Sequence, residues 1–198
     1  MPTHHTHATL QINRAPVLTL WAAVVAERLG FTWEEALTLG RAVAGLNAYA
    51  KGKALELFTP TPPEVQAQRQ AQRGPEPLHV ALLHRAVPVA HTTAGLCALS
   101  KEKPMEPASV QRYLQQKFGD ALDASSAAMQ HLAASRSPGQ LATEAYQLYE
   151  HFRPAPGAGA PRGRCTWRRF GSSRPQGRRM GSTRSAGALV RQVVAGAQ

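Results

Sequence analysis

The chain has 198 residues, of which 43% are hydrophobic and 18% are charged. This is enough apolar material for one domain with a buried core, so the composition excludes disorder of the whole chain. No stretch reaches the length of about 18 uncharged apolar residues that a membrane-spanning helix needs. Two cysteines, Cys97 and Cys165, are too few for a disulfide framework and lack the CxxC spacing of a zinc site. We therefore predict no metal and no cofactor.

The formal net charge of +11 is concentrated at the C-terminus. Residues 1–153 hold 14 lysines and arginines and all 12 acidic residues, for a net charge of +2, whereas residues 154–198 hold nine arginines and no acid. The second segment is also rich in Gly, Ala, Ser and Pro. The sequence thus predicts a globular body that ends near Arg153, followed by a basic tail that is disordered or out of frame.

Three interpretations of this tail stay open. A basic arm would neutralise phosphates or acidic lipids, whereas a merely solvated tail would have no specific partner. A GC-rich gene that is read out of frame also yields Arg, Gly, Ser, Pro and Ala without acids. Permitted codons for residues 163–173 let another frame encode Ala-Leu-His-Leu-Ala-Ala-Ile-Arg-Gln-Leu, which has the pattern of an amphipathic helix. The composition favours the frameshift. The DNA sequence of the gene would show whether residues 154–198 are in the native reading frame.

Two helices are predicted in the first part of the chain. Residues 1–13 are expected to be a flexible N-terminus, because their histidines have no nearby carboxylate or cysteine to complete a metal site. The first helix spans residues 16–29, with a wide apolar face and Gly30 at its end. Thr32 and Glu35 then form the pattern of a capping box, in which each side chain bonds the backbone N–H of the other residue.

The second helix continues from this capping box to about residue 50. Gly40 and Gly45 lie inside it, and each weakens the helix by about 1 kcal/mol relative to alanine while permitting close approach of another backbone. This glycine face is therefore a candidate surface for self-association or for a partner. Lys51 and Lys53 follow with charges that favour the helix dipole.

The middle of the chain is predicted to contain a long connection and one β-hairpin. Residues 59–77 contain five prolines and form a surface loop, whose Gln-, Arg- and Ala-rich centre fits a short exposed helix. Residues 78–91 are strand-like, because apolar residues alternate with others on both sides of a turn near His84 and Arg85. Pro88 is expected to confine its strand to an edge.

Four helices are predicted after the hairpin. The first is short and begins at Thr92 or Thr93, and the second spans residues 107–118. Asp120 is expected to cap the third, and Ser137 begins the last with a second capping-box pattern.

The predicted fold class is therefore mainly α, with five or six helices, one short β-hairpin and a basic, disordered C-terminal tail. Residues 14–153 form one helical domain in this interpretation, and the proline-rich loop at residues 59–77 lies on its surface. We see no internal repeat.

Little in the sequence indicates catalysis. It lacks a Gly-rich phosphate loop and the GxSxG, HExxH and DxD motifs. Glu34 and Glu35 are adjacent and point about 100° apart on a helix, so they make a poor acid–base pair, and capping explains Glu35. Cys97 lies among apolar residues and is expected to be a buried, unreactive thiol. One alternative is an anion site or a base built from the hairpin histidines, which are His79, His84 and His91.

One segment has the spacing of a helix-turn-helix unit. Ala26, Gly30 and Ala36 are placed so that two helices can cross closely at a tight turn. The second helix, however, begins with Glu34 and Glu35, which repel phosphates, and its first turn has no Arg, Asn or Gln for base edges. The pattern therefore favours an ordinary helical hairpin.

The leading functional interpretation is a non-enzymatic binding or regulatory module, with DNA association as one form of it. The tentative nucleic-acid-binding residues are basic side chains scattered over the body, which form a patch only if the fold brings the loops together: Lys51, Lys53, Lys101, Lys103 and Arg112. The alternative is a protein-interaction module that associates with itself or with a partner protein and does not bind nucleic acid. The third interpretation, an enzyme with a site made of the hairpin histidines, requires a concave pocket beside them. We expect no membrane partner.

Three segments resemble a family of uncharacterised small bacterial proteins: R-A-P-V-L-T-L-W-A-A-V-V-A-E-R-L-G at residues 14–30, A-L-T-L-G at 36–40 and S-V-Q-R-Y-L at 109–114. The resemblance covers residues 14–153 and ends where the basic tail begins. It implies a cytoplasmic bacterial protein and brings no activity and no site residues.

Overall fold

The computed structural model describes residues 9–57, 61–71, 77–93, 95–156 and 165–168. Within these residues the helices are α1 (Arg14–Arg28), α2 (Trp33–Ala54), α3 (Pro63–Ala71), α4 (Pro107–Phe118), α5 (Leu122–Ala134) and α6 (Pro138–Phe152). The strands are β1 (Thr9–Gln11), β2 (Leu78–Leu82), β3 (Arg85–Thr92), β4 (Gly95–Ser100), β5 (Lys103–Pro104), β6 (Ala155–Pro156) and β7 (Cys165–Arg168). A short 3-10 helix, Gly119–Ala121, joins α4 to α5.

Helix α1 is the centre of the domain. Residues 16–26 are all buried, and because a helix turns about 100° per residue, every face of α1 is covered there. Helices α2, α4, α5 and α6 contact it. Trp21 is fully buried and donates its indole N–H to the Ala145 carbonyl oxygen of α6 at 2.8 Å. The apolar run of the sequence is therefore the core of the domain.

Helices α1 and α2 pack tightly at Gly40. A Cβ atom at this position would lie 2.8 Å from the amide nitrogen of Ala23 and closer still to the carbonyl oxygen of Thr19, so only glycine fits. The predicted close approach is thus confirmed at Gly40, whereas a Cβ at Gly45 would meet no atom within 4 Å. Because α1 already covers Gly40, this position is not a free surface for association.

Two of the predicted helix caps are confirmed and one is wrong. Thr32 with Glu35 and Ser137 with Gln140 both form complete capping boxes. Asp120 does not cap the next helix, because it lies within the 3-10 helix and α5 begins without a side-chain cap.

The helix boundaries follow the prediction with small shifts. Helix α2 extends to Ala54 rather than to residue 50, and the short exposed helix expected in the proline-rich connection is α3. In the part of the chain that the structure describes, no helix is both long and apolar enough to cross a bilayer, and no three His, Cys, Asp or Glu residues are grouped to hold a metal ion.

The prediction of a single short hairpin is wrong, because the structure has a four-stranded antiparallel sheet in the order β2-β3-β4-β5. Residues 95–100, which fall in the predicted short helix, form β4. Two side chains of α2 bond this strand: Glu35 Oε1 accepts the Leu96 N–H at 2.9 Å, and Thr38 Oγ1 accepts the Ala98 N–H at 3.1 Å. A stretch this short has no periodicity that distinguishes a strand from a helix, so these long-range hydrogen bonds determine its conformation.

The edge position predicted for Pro88 is also wrong, because β3 lies inside the sheet. Pro88 pairs with His79 of β2, and β3 pairs with β4 on its other side. The pairs between β3 and β4 run from Thr92 to Val89 and end next to Pro88. A proline lacks the backbone N–H, so it is tolerated at the point where the ladder to β4 stops.

A second, smaller sheet has the order β1-β7-β6 and includes part of the predicted tail. Trp167 of β7 is buried and donates its indole N–H to the Phe152 carbonyl oxygen at 2.9 Å, and its ring meets Phe118 edge-on. Residues 165–168 therefore pack on the body. Residues 157–164 and 169–198 lie outside the described residues, and the frameshift and binding-arm hypotheses stay predictions.

Candidate functional site

A cavity of about 470 Å³ opens between the β2–β3 hairpin and the helices, and we call it the β2 cavity. Its floor consists of apolar side chains of the sheet, which are Leu78, Val80, Leu82, Val89 and Leu96. Its walls come from the α1–α2 loop and the start of α6, with Leu29, Phe31, Pro138, Gly139 and Ala142. The polar side chains along it are those of Glu35, His79, His84 and His91. It is the kind of concave pocket that the hairpin-histidine hypothesis requires.

Glu35 joins the start of α2 to the sheet beside this cavity. Its Oε2 accepts the Thr32 N–H at 3.0 Å, which completes the capping box, while Oε1 accepts the Leu96 N–H. The side chain is buried. Gly95, at a φ of +99°, gives it room, since a Cβ there would lie 2.8 Å from Oε1. Glu35 therefore has two structural roles: its carboxylate caps α2 and also bonds the backbone of β4.

Replacing Glu35 by glutamine is expected to lower the free energy of unfolding by about 2 kcal/mol, because the amide turns an NH₂ group toward a backbone donor. The matched control is Glu34→Gln, which removes the same charge one residue earlier at an exposed position and should change stability by less than about 0.5 kcal/mol. Urea denaturation of both variants measures the difference. Equal effects would mean that the charge, and not the bonds to the backbone, matters.

The turn of the β2–β3 hairpin is held against α2 and α6. His84 Nε2 lies 3.1 Å from the Thr143 carbonyl oxygen, and its ring meets Tyr146 edge-on. Arg85 donates to Asn47 Oδ1 at 3.0 Å, and the Tyr146 hydroxyl donates to the same oxygen at 3.4 Å. The predicted turn is confirmed, and His84 contributes to its anchorage.

His79 and His91 lie on opposite faces of the sheet. His79 pairs with Pro88 and shares its face, while His91 follows Pro88 by three residues on the same strand and so belongs to the other face. General acid–base chemistry needs groups that converge on one reacting atom. The structure brings the hairpin histidines to one cavity but does not direct these two to one point.

Cys97 is buried, as predicted. It lies on the sheet face opposite to the cavity floor, because its neighbours on the strand, Leu96 and Ala98, share the floor side. Its Sγ is 3.4 Å from the Thr92 hydroxyl. The thiol is therefore not part of the β2 cavity.

Two phenols, Tyr113 half-buried and Tyr149 buried, pack in the body away from this cavity. The Arg41 guanidinium lies 4.2 Å above the centre of the Tyr113 ring. Burial raises the pKa of Tyr113, and the charge of Arg41 opposes that rise. The hydroxyl of Tyr149 donates to the Arg14 carbonyl oxygen at 3.3 Å, and burial raises its pKa as well.

The tentative nucleic-acid-binding residues are exposed and are spread over three parts of the fold. They are Lys51 and Lys53 near the end of α2, Lys101 and Lys103 around the β4–β5 turn, and Arg112 on α4. Acidic side chains lie among them, with Glu102 in that turn and Glu106 directly before α4. The surface charge here is mixed, and the role of these lysines in binding nucleic acid stays a prediction.

The α1–α2 pair forms a helical hairpin in the core. Residues 35–40 of α2 are all buried, and Glu35 and Thr38 bond the sheet. A DNA-recognition helix instead presents its first turns to the major groove. Ala26 and Ala36 are buried in the core, whereas Gly30 is exposed in the turn between the helices at a φ of +103°.

The cavity walls have no signal in the sequence. Phe31 and Ala142 are separated by more than a hundred residues, and neither carries a local signal of a binding site.

The chain matches no protein-family model, no curated protein and no solved structure. The resemblance of residues 14–30 to small bacterial proteins therefore stays an expectation.

Proposed function

We propose that this protein is a non-enzymatic binding or regulatory module that takes its ligand in the β2 cavity. The observation that carries the proposal is the cavity itself. Its volume of about 470 Å³ and its apolar floor with a few polar side chains match the usual character of ligand sites. We also propose that the protein is cytoplasmic, as the resemblance to small bacterial proteins implies.

The polar groups of the cavity favour binding over catalysis. Glu35 uses both carboxylate oxygens to bond backbone N–H groups, and His84 contacts α6. His79 and His91 belong to opposite faces of the sheet. These contacts fix the shape of the cavity, and among the described side chains that line it no pair is arranged to transfer a proton.

Filling the cavity tests this proposal. Ala142 stands exposed at the cavity wall, so Ala142→Trp adds bulk without removing any core contact. The probe is the apolar dye 1-anilinonaphthalene-8-sulfonate, whose fluorescence rises in an apolar site. We expect Ala142→Trp to weaken dye binding at least about tenfold, which corresponds to a loss of about 1.4 kcal/mol.

The matched control is Ala127→Trp, at an exposed position of α5 that does not line the cavity. It should leave the dissociation constant of the dye unchanged. If the dye binds the wild-type chain and both variants alike, or does not bind at all, the β2 cavity is not the binding site and the proposal fails.

A protein-interaction function is the second candidate, and a different surface supports it. Exposed apolar side chains occur near the end of α2 and on α3, namely Tyr49, Leu55, Leu57 and Val65. Sedimentation over a range of protein concentrations tests self-association through this surface. DNA association rests on the sequence-level argument alone, and a duplex titration across a salt series tests it.

A further inference from the structure

The β2 cavity is long, and it follows one face of the four-stranded sheet. Leu82 pairs with Arg85 at the hairpin turn, and His91 pairs with Leu96 at the start of β4. Arg85 and His91 are six residues apart on β3, which is an even number, so Leu82 and His91 share one face. Both of them line the cavity, and the strand between their levels is about 20 Å long. An occupant that fills this cavity must therefore be elongated.

The middle of the cavity is apolar and enclosed. Val80, Leu82 and Val89 line it and are nevertheless buried. The α1–α2 loop and the start of α6, which form its walls, therefore shield this part from water. A ligand gains affinity here by removing its own apolar surface from water.

The cavity offers no ionic partner to a charged ligand. None of the described residues that line it is a lysine or an arginine. Glu35, the one acidic residue among them, accepts the backbone N–H groups of Thr32 and Leu96 with its two oxygens. A charged group that moves from water into an apolar site without an opposite charge is strongly disfavoured. The cavity therefore favours an uncharged ligand.

The two ends of the cavity differ in the polar groups that they offer. At the hairpin turn, His84 Nε2 is already engaged with the Thr143 carbonyl oxygen, and the neighbouring Leu83 is buried. At the other end, His91 is exposed on the floor face, and no described residue bonds its ring. A neutral imidazole has one nitrogen that donates a hydrogen bond and one that accepts. The His91 end therefore suits a polar group of the ligand, and the turn end suits an apolar one.

The turn end of the cavity has a strained backbone. Leu83 and His84 have φ angles of +47° and +58°, in the left-handed region that glycine and asparagine favour. Such a conformation persists where surrounding contacts hold it, and it is concentrated at binding sites. Here the contact of His84 with Thr143 and the bond from Arg85 to Asn47 hold the turn. Leu83 is thereby kept in the cavity lining as a preformed apolar wall.

We infer that the β2 cavity binds an uncharged, elongated apolar molecule with a hydroxyl or carbonyl group at one end, such as a long-chain alcohol or aldehyde. The chain lies along the cavity floor, with its apolar tail at Leu83 and its polar group at His91. This inference rests on the proposed function and names the class of its ligand.

Three ten-carbon compounds that differ only in their end group test the inference on the full chain. They are decan-1-ol, decanoate and decylammonium, each used at neutral pH below its critical micelle concentration. We expect isothermal titration calorimetry to show that decan-1-ol binds at least about tenfold more tightly than either ion. Ala142→Trp, which fills the cavity, should weaken the binding of decan-1-ol about tenfold.

Substitutions at His91 test where the polar end lies. His91→Phe keeps a ring but removes the hydrogen-bonding nitrogens, and it should weaken the binding of decan-1-ol about fivefold. His91→Gln keeps a donor and an acceptor and should bind within about twofold of the wild type. His151→Phe makes the same change at an exposed position of α6 that does not line the cavity, so it is the matched control and should have no effect.

The outcomes distinguish this inference from the proposed function. If decanoate or decylammonium binds as tightly as decan-1-ol, or if none of the three binds, the inference is overturned. The ligand cavity still stands in that case if Ala142→Trp weakens dye binding. If His91→Phe binds decan-1-ol as the wild type does, or if His91→Gln loses as much affinity as His91→Phe, the inferred polar contact is wrong. If neither the dye nor decan-1-ol binds, both proposals fail.

Discussion

Replacing Trp167 by alanine is expected to lower the free energy of unfolding by about 4 kcal/mol. The side chain is 1% exposed, donates its indole N–H to Phe152 at 2.9 Å and packs edge-on against Phe118. Its removal leaves a large cavity and eliminates the hydrogen bond to the Phe152 carbonyl oxygen at the end of α6. Urea denaturation followed by the fluorescence of Trp21 and Trp33 measures the loss.

Tyr49→Ala is the control for this experiment. It also truncates a large aromatic side chain, but Tyr49 is 63% exposed, so the change should be within about 0.5 kcal/mol. An effect of Trp167→Ala below about 1 kcal/mol would contradict the packing of β7 and would place the end of the folded domain near Arg153. A large effect would mean that residues 165–168 are part of the folded domain in this chain.

The position of Trp167 shows that the composition of a segment does not tell which of its residues are buried. The change from a mixed body to an arginine-rich, acid-free segment is abrupt at residue 154, and composition assigns one character to the whole segment. Burial is decided residue by residue. One tryptophan with a partner for its N–H provides enough apolar contact for a four-residue strand to pair with β1 and β6. The reading frame of the segment is a separate question, which the gene sequence answers.

The helices could be predicted because their signals are local. Capping boxes at Thr32 and Ser137 and the apolar spacing of α1, α4 and α6 are contained within one helix each. The four-stranded sheet could not be predicted in the same way. Strand β4 is fixed by Glu35 and Thr38, which lie about sixty residues earlier in the chain, and nothing within residues 95–100 indicates those bonds.

The candidate site was predicted only in part for a related reason. The alternation of apolar residues in β2 and β3 identifies the hairpin, and the hairpin histidines follow from it. The cavity, however, exists because Phe31 and the start of α6 come together beside the β2–β3 hairpin. That arrangement depends on how α2 and α6 pack around α1, and no local pattern encodes it.

The packing of α2 on α1 gives the second large effect, at Gly40. Gly40→Ala is expected to lower the free energy of unfolding by about 3 kcal/mol, although alanine favours a helix over glycine by about 1 kcal/mol. The added methyl would meet the backbone of Thr19 and Ala23, and neither helix can move away cheaply. Residues 16–26 of α1 are buried on every side, so a shift of α1 would disturb contacts with α4, α5 and α6 as well.

Gly45→Ala is the matched control, because it makes the same chemical change five residues later in the same helix. A methyl group at Gly45 meets no atom within 4 Å, so helix propensity alone acts and stability should rise by about 1 kcal/mol. The two variants should therefore move the midpoint of thermal unfolding in opposite directions, by roughly 2–4 °C for each kcal/mol. If both variants raise the midpoint, α1 and α2 are farther apart than the structure shows. If both lower it, α2 is not a continuous helix through Gly45.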